Sequence, residues 1–509
     1  MLNNSSRVKR AIFALITICA LISPFLAPPA VLAGGKRIVV PTDYPDIQTA
    51  LDHANDGDVI AVLSGTYSGF EVKKSVAIIG ENDETVVVKG PIRVYANDVK
   101  ISTMHIVLQD YTEKNPAALW TQANNTVLVG VNIESAGNGI LIGNASFRAS
   151  ISVERSRILA GLNYDHSSGV TAYLCSSLSV YYSNITLIKG NLGINSCKQL
   201  QIMHSTIVTP GTGISISMFA DQVEISGNTI RASDTGIHVG ASGGVFSSNV
   251  IASNGTGIYM ERVRGNTIAN NTIHGSGIGI QANGDNNLIV GNYITSGGPA
   301  IELRGSGNVI TNNTLAGSRG INGLVAYGNI IAFNFINQTG SIGIYLSKQS
   351  TDNVVFGNTF WLCYNYNAAD ESGKNQWYVE NETLKMGNYW YDHIEPDKDN
   401  DGIVDVPYVI ATTLDVQILD KYPLTKPVHP ITYVTTTTAY TTSYTPTQTT
   451  SFITTTQIPT TTQLTTPETT TQETSIPVEE GSSLVMISVA VVILLLILGV
   501  AVFLVRKRS

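Results

Sequence analysis

An all-β rod, a right-handed parallel β-helix solenoid of about 21–22 residues per turn, is the fold this sequence predicts, and three observations predict it. The chain aligns with itself, because "NTIRASDTGIHV", "NVIASNGTGIYM", "NTIHGSGIGIQA", "NYITSGGPAIEL" and "NTLAGSRGINGL" follow one another as equivalent lines. The leading residues Asn228, Asn249, Asn271, Asn292, Asn313, Asn334 and Asn358 are separated by 21, 22, 21, 21, 21 and 24 positions. A fixed period in that range marks a solenoid. Within each line Ile, Val or Leu recurs at every second position, which is the pattern of short strands rather than of a helix.

The Asn columns follow from the same stacking. Asn266, Asn287, Asn308, Asn329 and Asn353 each stand five residues before a leading Asn and form a second column. Turns stacked about 4.8 Å apart let equivalent amides hydrogen-bond in a ladder, and roughly 13 turns make a rod about 60 Å long. Asn271 and Asn292 are therefore expected to face inward, and Asn270 and Asn312 outward. Gly and Asn suit the bends because both tolerate left-handed backbone.

A stack of strands has two open ends that need covers. In "DYPDIQTALDHA" the apolar Ile47, Ala50, Leu51 and Ala54 fall at helical spacing, with Asp46 or Asp43 as the cap, so a short helix is expected over the first turn. The organisation read from the sequence is a secretory signal over 1–33, an N-terminal cap over 34–58, the β-helix over 59–362 and a C-terminal cap over 363–427. A disordered Thr/Pro-rich stalk over 428–483, a transmembrane helix over 484–505 and a cytoplasmic tail over 506–509 complete it. Arg7, Lys9 and Arg10 before an apolar run, with Val31 and Ala33 at the cut, carry the signal. The apolar run from Leu484 to Val505, followed by "RKR", carries the anchor and places the body outside and the C-terminus in the cytoplasm. Sequons at Asn124, Asn144, Asn184, Asn254, Asn337 and Asn381 fit such a compartment.

A net charge of −8 with no basic stretch interleaved with aromatics argues against a nucleic-acid partner. Cys175 and Cys197 align one turn apart, and either a disulfide or a pair of stacked thiols fits that offset. His53, His105, His166, His204, His238, His274 and His393 are scattered singly, where a copper site needs convergence.

"DKDNDGIVD" holds Asp397, Asp399, Asp401 and Asp405 at calcium-loop positions 1, 3, 5 and 9, with Gly402 at 6 and the Ile403 carbonyl at 7. Tyr408 stands where a bidentate Glu belongs, so another ligand, Asp415 or Asp420, is expected to complete the set. The loop lies beyond the repeats, and a structural Ca²⁺ locking the C-terminal cap is the reading it supports.

Alternation turns His238, Tyr259, Gln281, Glu302, Asn322 and Tyr345 outward in one row, beside the inward Ile237, Ile258, Ile280, Ile301 and Ile344. Glu261, Asn283, Arg304 and Ser347 form a second outward row. Aromatic faces and amides at one-sugar spacing suit an extended glycan or cell-surface polymer.

The repeats resemble those of the pectin-lyase-like superfamily. The stretch with Gly387, Asn388, Tyr389 and Trp390, the Asp loop, Pro407, Tyr408 and Ile410, and then Asp420, Tyr422, Pro423 and Leu424 resembles the NosD-type family of secreted β-helix proteins. That resemblance implies copper-site maturation, or carbohydrate binding and sugar hydrolysis in related β-helices. The Thr-rich stalk with a C-terminal anchor resembles archaeal cell-surface proteins. The expected function is a membrane-anchored extracellular protein that binds carbohydrate or serves structure and adhesion, with a polysaccharide lyase or hydrolase as the alternative and a copper maturation factor as a second alternative. No facing pair of carboxylates is visible in the lines, so the sequence names no catalytic residue and leans away from an enzyme.

Overall fold

A computed structural model describes residues 35–428, apart from 113, 115, 144–147, 174, 196 and 276. Parallel pairing begins at once: Arg37–Val40 lies beside Val59–Val62, with Ile38 opposite Ile60. The first rung thus forms inside the segment read as a cap. Between these strands runs a helix, Ile47–His53, whose Asp46 carboxylate accepts the Thr49 amide at 2.8 Å. Asp43 accepts from the Val39 amide instead, which settles the cap on Asp46. Ile47, Ala50 and Leu51 are the buried face of the helix.

Successive rungs build a parallel β-solenoid. One sheet has 15 strands, from Arg37–Val40 to Val354–Phe356. A second of 27 strands supplies two faces, joined where the long strand Val86–Val94 pairs with His105–Leu108 through its first half and with Ala117–Thr121 through its second. The core is stacked residue on residue: Ile237, Ile258, Ile280, Ile301, Ile321 and Ile344 are partners on consecutive strands, and each is fully buried. Full burial stabilises by about 1.5–3 kcal/mol for each such side chain. Gly257 precedes one of them because a Cβ there would meet the Gly279 carbonyl oxygen and Ile273 Cγ2.

Two corners carry the Asn ladders, and from Asn228 to Asn358 each ladder residue follows a left-handed one. Asn270 (φ 55°) precedes Asn271 and Asn312 (φ 55°) precedes Asn313, with Asn270 exposed and Asn312 half-buried. Asn271 and Asn292 are both 1 % exposed, as the register expects. One geometry recurs along the ladders: the Asn271 amide and Nδ2 donate to Asn292 Oδ1 at 2.9 and 3.0 Å, and Nδ2 also donates to a backbone carbonyl. Before Asn228 the same column is built of serines, since Ser156, Ser183 and Ser205 donate their amides to Ser183 Oγ, Ser205 Oγ and Asn228 Oδ1.

Because the ladder donors point to the next rung, the last Asn of each ladder needs an acceptor. Both end on a carboxylate. Asp420 Oδ2 accepts the Asn388 amide, Asn388 Nδ2 and Trp390 Nε1, while Asp370 accepts Asn375 Nδ2 and Trp377 Nε1. Phe360, Trp390 and Tyr408 then stack face to face, with centroids 4.3 and 4.0 Å apart, over the end of the core. Antiparallel pairing enters only in this cap, for example between Tyr408–Ile410 and Ile418–Asp420.

Cys175 and Cys197 are joined by a disulfide, with Cα atoms 4.8 Å apart, which decides the alternative left open by the sequence. One expectation is corrected. No helix among the described residues is long and apolar enough to cross a membrane. The signal over 1–33, the greater part of the stalk and the span over 484–505 lie outside the described residues, so the transmembrane helix, the membrane as partner and the single-pass topology with a cytoplasmic C-terminus are withdrawn.

Candidate functional site

The outward row forms in the expected register: His238 pairs with Tyr259, Tyr259 with Gln281, Gln281 with Glu302, Glu302 with Asn322 and Asn322 with Tyr345. The second row holds through Glu261, Asn283 and Arg304 and then departs before the rung of Ser347, because a bulge between Leu303 and Arg304 sets Val325 beside Arg304.

The side chains are engaged with one another more than alternation alone suggests. His238 stacks on Tyr259 with centroids 5.1 Å apart and planes at 14°, so stacked rings show their edges to solvent. His238 Nε2 also lies 3.0 Å from Glu261 Oε2. Glu302 is buried and accepts from Arg304 Nε at 3.2 Å and Gln281 Nε2 at 3.4 Å. At the far end Arg319 donates to Asn322 Oδ1 at 2.6 Å and sits 4.7 Å over the Tyr345 ring. The row presents ring edges, Arg heads and carboxylates to solvent rather than open aromatic faces.

Glu261 and Glu302 are the pair that the sequence lines concealed. They stand in neighbouring outward columns, about 9.6 Å apart along the rod over two rungs and about 6.6 Å apart along the strand. Line-by-line inspection compares residues one turn apart, and this pair is two turns apart.

In the acidic loop, one carboxylate oxygen from each of Asp397, Asp399 and Asp401 lies within 4.8 Å of the others, a cluster able to hold a metal ion. Asp397 Oδ1 is buried without a hydrogen-bond partner. The Asp399 carboxyl is stabilised by the Asp401 amide, yet desolvation and repulsion from Asp401 and its acidic neighbours outweigh that and push its pKa up. Asp405 accepts from the Lys398 amide at 2.9 Å, and Ile403 bridges to Leu424. Of the two candidates for a further ligand, Asp420 is committed to the ladder end, whereas Asp415 is exposed. This donor set is oxygen only, suited to hard cations. It does not fit copper, and no group of His and Cys among the described residues converges as a metal site.

The chain is similar to the family described as Periplasmic copper-binding protein (NosD) over residues 152–394. A search of the curated proteins found no match. Among solved structures, a mannuronic acid specific polysaccharide family 6 lyase from human gut microbiota shares 14% identity over 64% of this chain and 86% of that one, with a TM-score of 0.45. A tailspike protein of an E. coli bacteriophage, solved with a pentasaccharide, shares 12% identity over 64% and 68%, with a TM-score of 0.42. The A-module of a mannuronan C-5 epimerase from Azotobacter vinelandii shares 14% identity over 66% and 95%, with a TM-score of 0.35. These names are those of carbohydrate-active proteins. The resemblance to archaeal surface proteins and the membrane-anchored binding or adhesion role fall with the transmembrane helix, and the leaning against an enzyme is withdrawn.

Proposed function

We propose that this chain is a polysaccharide-cleaving β-solenoid, a lyase or hydrolase, that seats an extended glycan along the row His238, Tyr259, Gln281, Glu302, Asn322 and Tyr345. The observation that carries the reading is the register: six polar or aromatic side chains on consecutive strands repeat at about one sugar length, a geometry that favours polymers running along the rod. Glu302, oriented by Arg304 and Gln281, and Glu261, bonded to His238, are the acid and base. Their backbones stand about 12 Å apart, so the two side chains must turn toward each other to reach the about 6.5–9.5 Å of an inverting pair.

The test is incubation of the purified chain with neutral and acidic polysaccharides, reading new reducing ends and the ultraviolet absorbance of unsaturated products. Glu261→Gln and Glu302→Gln are expected to stop turnover, and Tyr259→Ala to weaken glycan binding while leaving the melting midpoint nearly unchanged. Binding without product on every polymer would overturn the catalytic reading. Full binding by a Tyr259→Ala, Tyr345→Ala double variant would overturn the binding face itself.

For the acidic loop, Ca²⁺ held by Asp397, Asp399 and Asp401, with Ile403 and Asp405 close by, is the ion the oxygen donors suit best, and its role is to lock the cap. Without a bidentate Glu the affinity is expected at about 10⁻⁴–10⁻³ M. Melting in millimolar calcium should exceed melting in chelator, and an unchanged midpoint would count against the site.

A further inference from the structure

A second feature lies on a different face from the glycan row. The loop between the strands Ala77–Gly80 and Val86–Val94 reaches across the sheet, and Asp83 Oδ2 accepts from Asn132 Nδ2 at 2.9 Å. His105 occupies the rung between, paired with Val87 on one side and Asn132 on the other, so the loop passes over it. Below the loop is a cavity of about 240 Å³ lined by Asp83, Glu84, His105, Asn132, Glu134 and Arg157.

Its polar groups are incompletely matched. His105 Nε2 faces Glu134 Oε1 at 3.6 Å, within ion-pair reach, and is buried without a hydrogen-bond partner. Asn132 is committed to Asp83. Glu84 and Arg157 are exposed, and neither has an ion-pair partner among the described residues. Arg157 pairs with Asn132 from the next rung, so it stands on the side of the cavity away from the loop that carries Glu84.

The geometry points to a binding site for a small zwitterion, an ammonium carboxylate of amino-acid size. A simple anion would meet Asp83, Glu84 and Glu134 together, and a simple cation would leave Arg157 opposed. A neutral sugar would answer neither free charge. A zwitterion meets both, with its carboxylate on the planar fork of Arg157 and its ammonium between Glu84 and Glu134. Its hydroxyl or side chain then faces His105 Nε2, which has no hydrogen-bond partner. The volume admits one such molecule and no oligomer.

Titration calorimetry on the full chain tests this with L-serine and with its two halves, ethanolamine and glycolate, and with galactose. L-serine is expected to bind at millimolar or lower concentration, and the two halves and galactose at least about tenfold more weakly. Arg157→Gln and Glu84→Gln should each lower serine affinity about tenfold or more while melting and glycan binding stay as in the parent, because both side chains are exposed and lie off the glycan face. Failure of serine to bind, equal binding of either half, preference for galactose, or unchanged affinity in both variants would each overturn the proposal. None of these results bears on the polysaccharide reading, which is measured on the other face.

Discussion

Asp420→Ala is expected to destabilise the protein by about 3–4 kcal/mol and to open the C-terminal cap first. The carboxylate is fully buried and takes donors from the Asn388 amide, Asn388 Nδ2, Trp390 Nε1 and, through Oδ1, the Tyr422 amide. Removing it strands these N–H groups in a dry interior at the end of an eight-Asn column, where each unsatisfied donor costs about 1–3 kcal/mol before relaxation. Trp390 also loses the bond that orients it in the stack with Phe360 and Tyr408. Chemical denaturation followed by Trp fluorescence reads the change, because Trp377 and Trp390 report on this cap. A loss below about 1 kcal/mol would show that the ladder needs no terminal acceptor.

The same residue sets a pH dependence. Burial pushes the Asp420 pKa up to about 6, and the bonds from Asn388, Tyr422 and Trp390 recover only part of that cost. A folded-state value above the unfolded one means the native state binds the extra proton. Its contribution is therefore fully present below about pH 4 and is lost as pH rises to about 6, an effect on the order of 2–3 kcal/mol. Asp420→Asn should flatten stability between those limits while costing less at neutral pH than Asp420→Ala, since an amide oxygen still accepts. If the Asp420→Asn variant kept the parent's slope, the titration would belong to another group.

How much of this was legible differs by element. The rungs, the inward Ile column and the register of the row from His238 to Tyr345 were readable because a period-2 pattern inside a 21-residue repeat fixes which way every side chain points. The serine rungs Ser156, Ser183 and Ser205 were missed because the repeat was sought through Asn, although Ser offers the same acceptor at the same corner. In the sequence Asp420 belongs to the NosD-like stretch and is, with Asp415, one of two candidates for a further calcium ligand. Its place at a ladder end depends on the chain returning across the cap from Ile418–Asp420, which no local pattern reveals. The Glu261 and Glu302 pair needed a comparison two rungs apart, and the cavity at His105 needed a loop tie spanning 49 residues. What escaped the sequence is what depends on side chains meeting across rungs.

Asn292→Ala should cost about 1–3 kcal/mol, and Asn270→Gly close to nothing, although the two positions are one turn apart at the same corner. Asn292 Oδ1 takes both the amide and Nδ2 of Asn271, and its own Nδ2 serves Ile268 O, Val290 O and Asn313 Oδ1. Truncation leaves the two Asn271 donors buried without an acceptor, in the middle of the rod where water has no access. Asn270 is exposed and is required only to hold φ at 55°, which Gly adopts freely. Asn270→Ala is the informative intermediate, expected to cost about 1 kcal/mol for the left-handed backbone alone and none of the hydrogen bonding. Denaturant midpoints at constant slope separate the three variants. Equal losses from Asn292→Ala and Asn270→Gly would mean that the corner's conformation and not the amide ladder holds the rungs together, and the terminal role of Asp420 would fall with it.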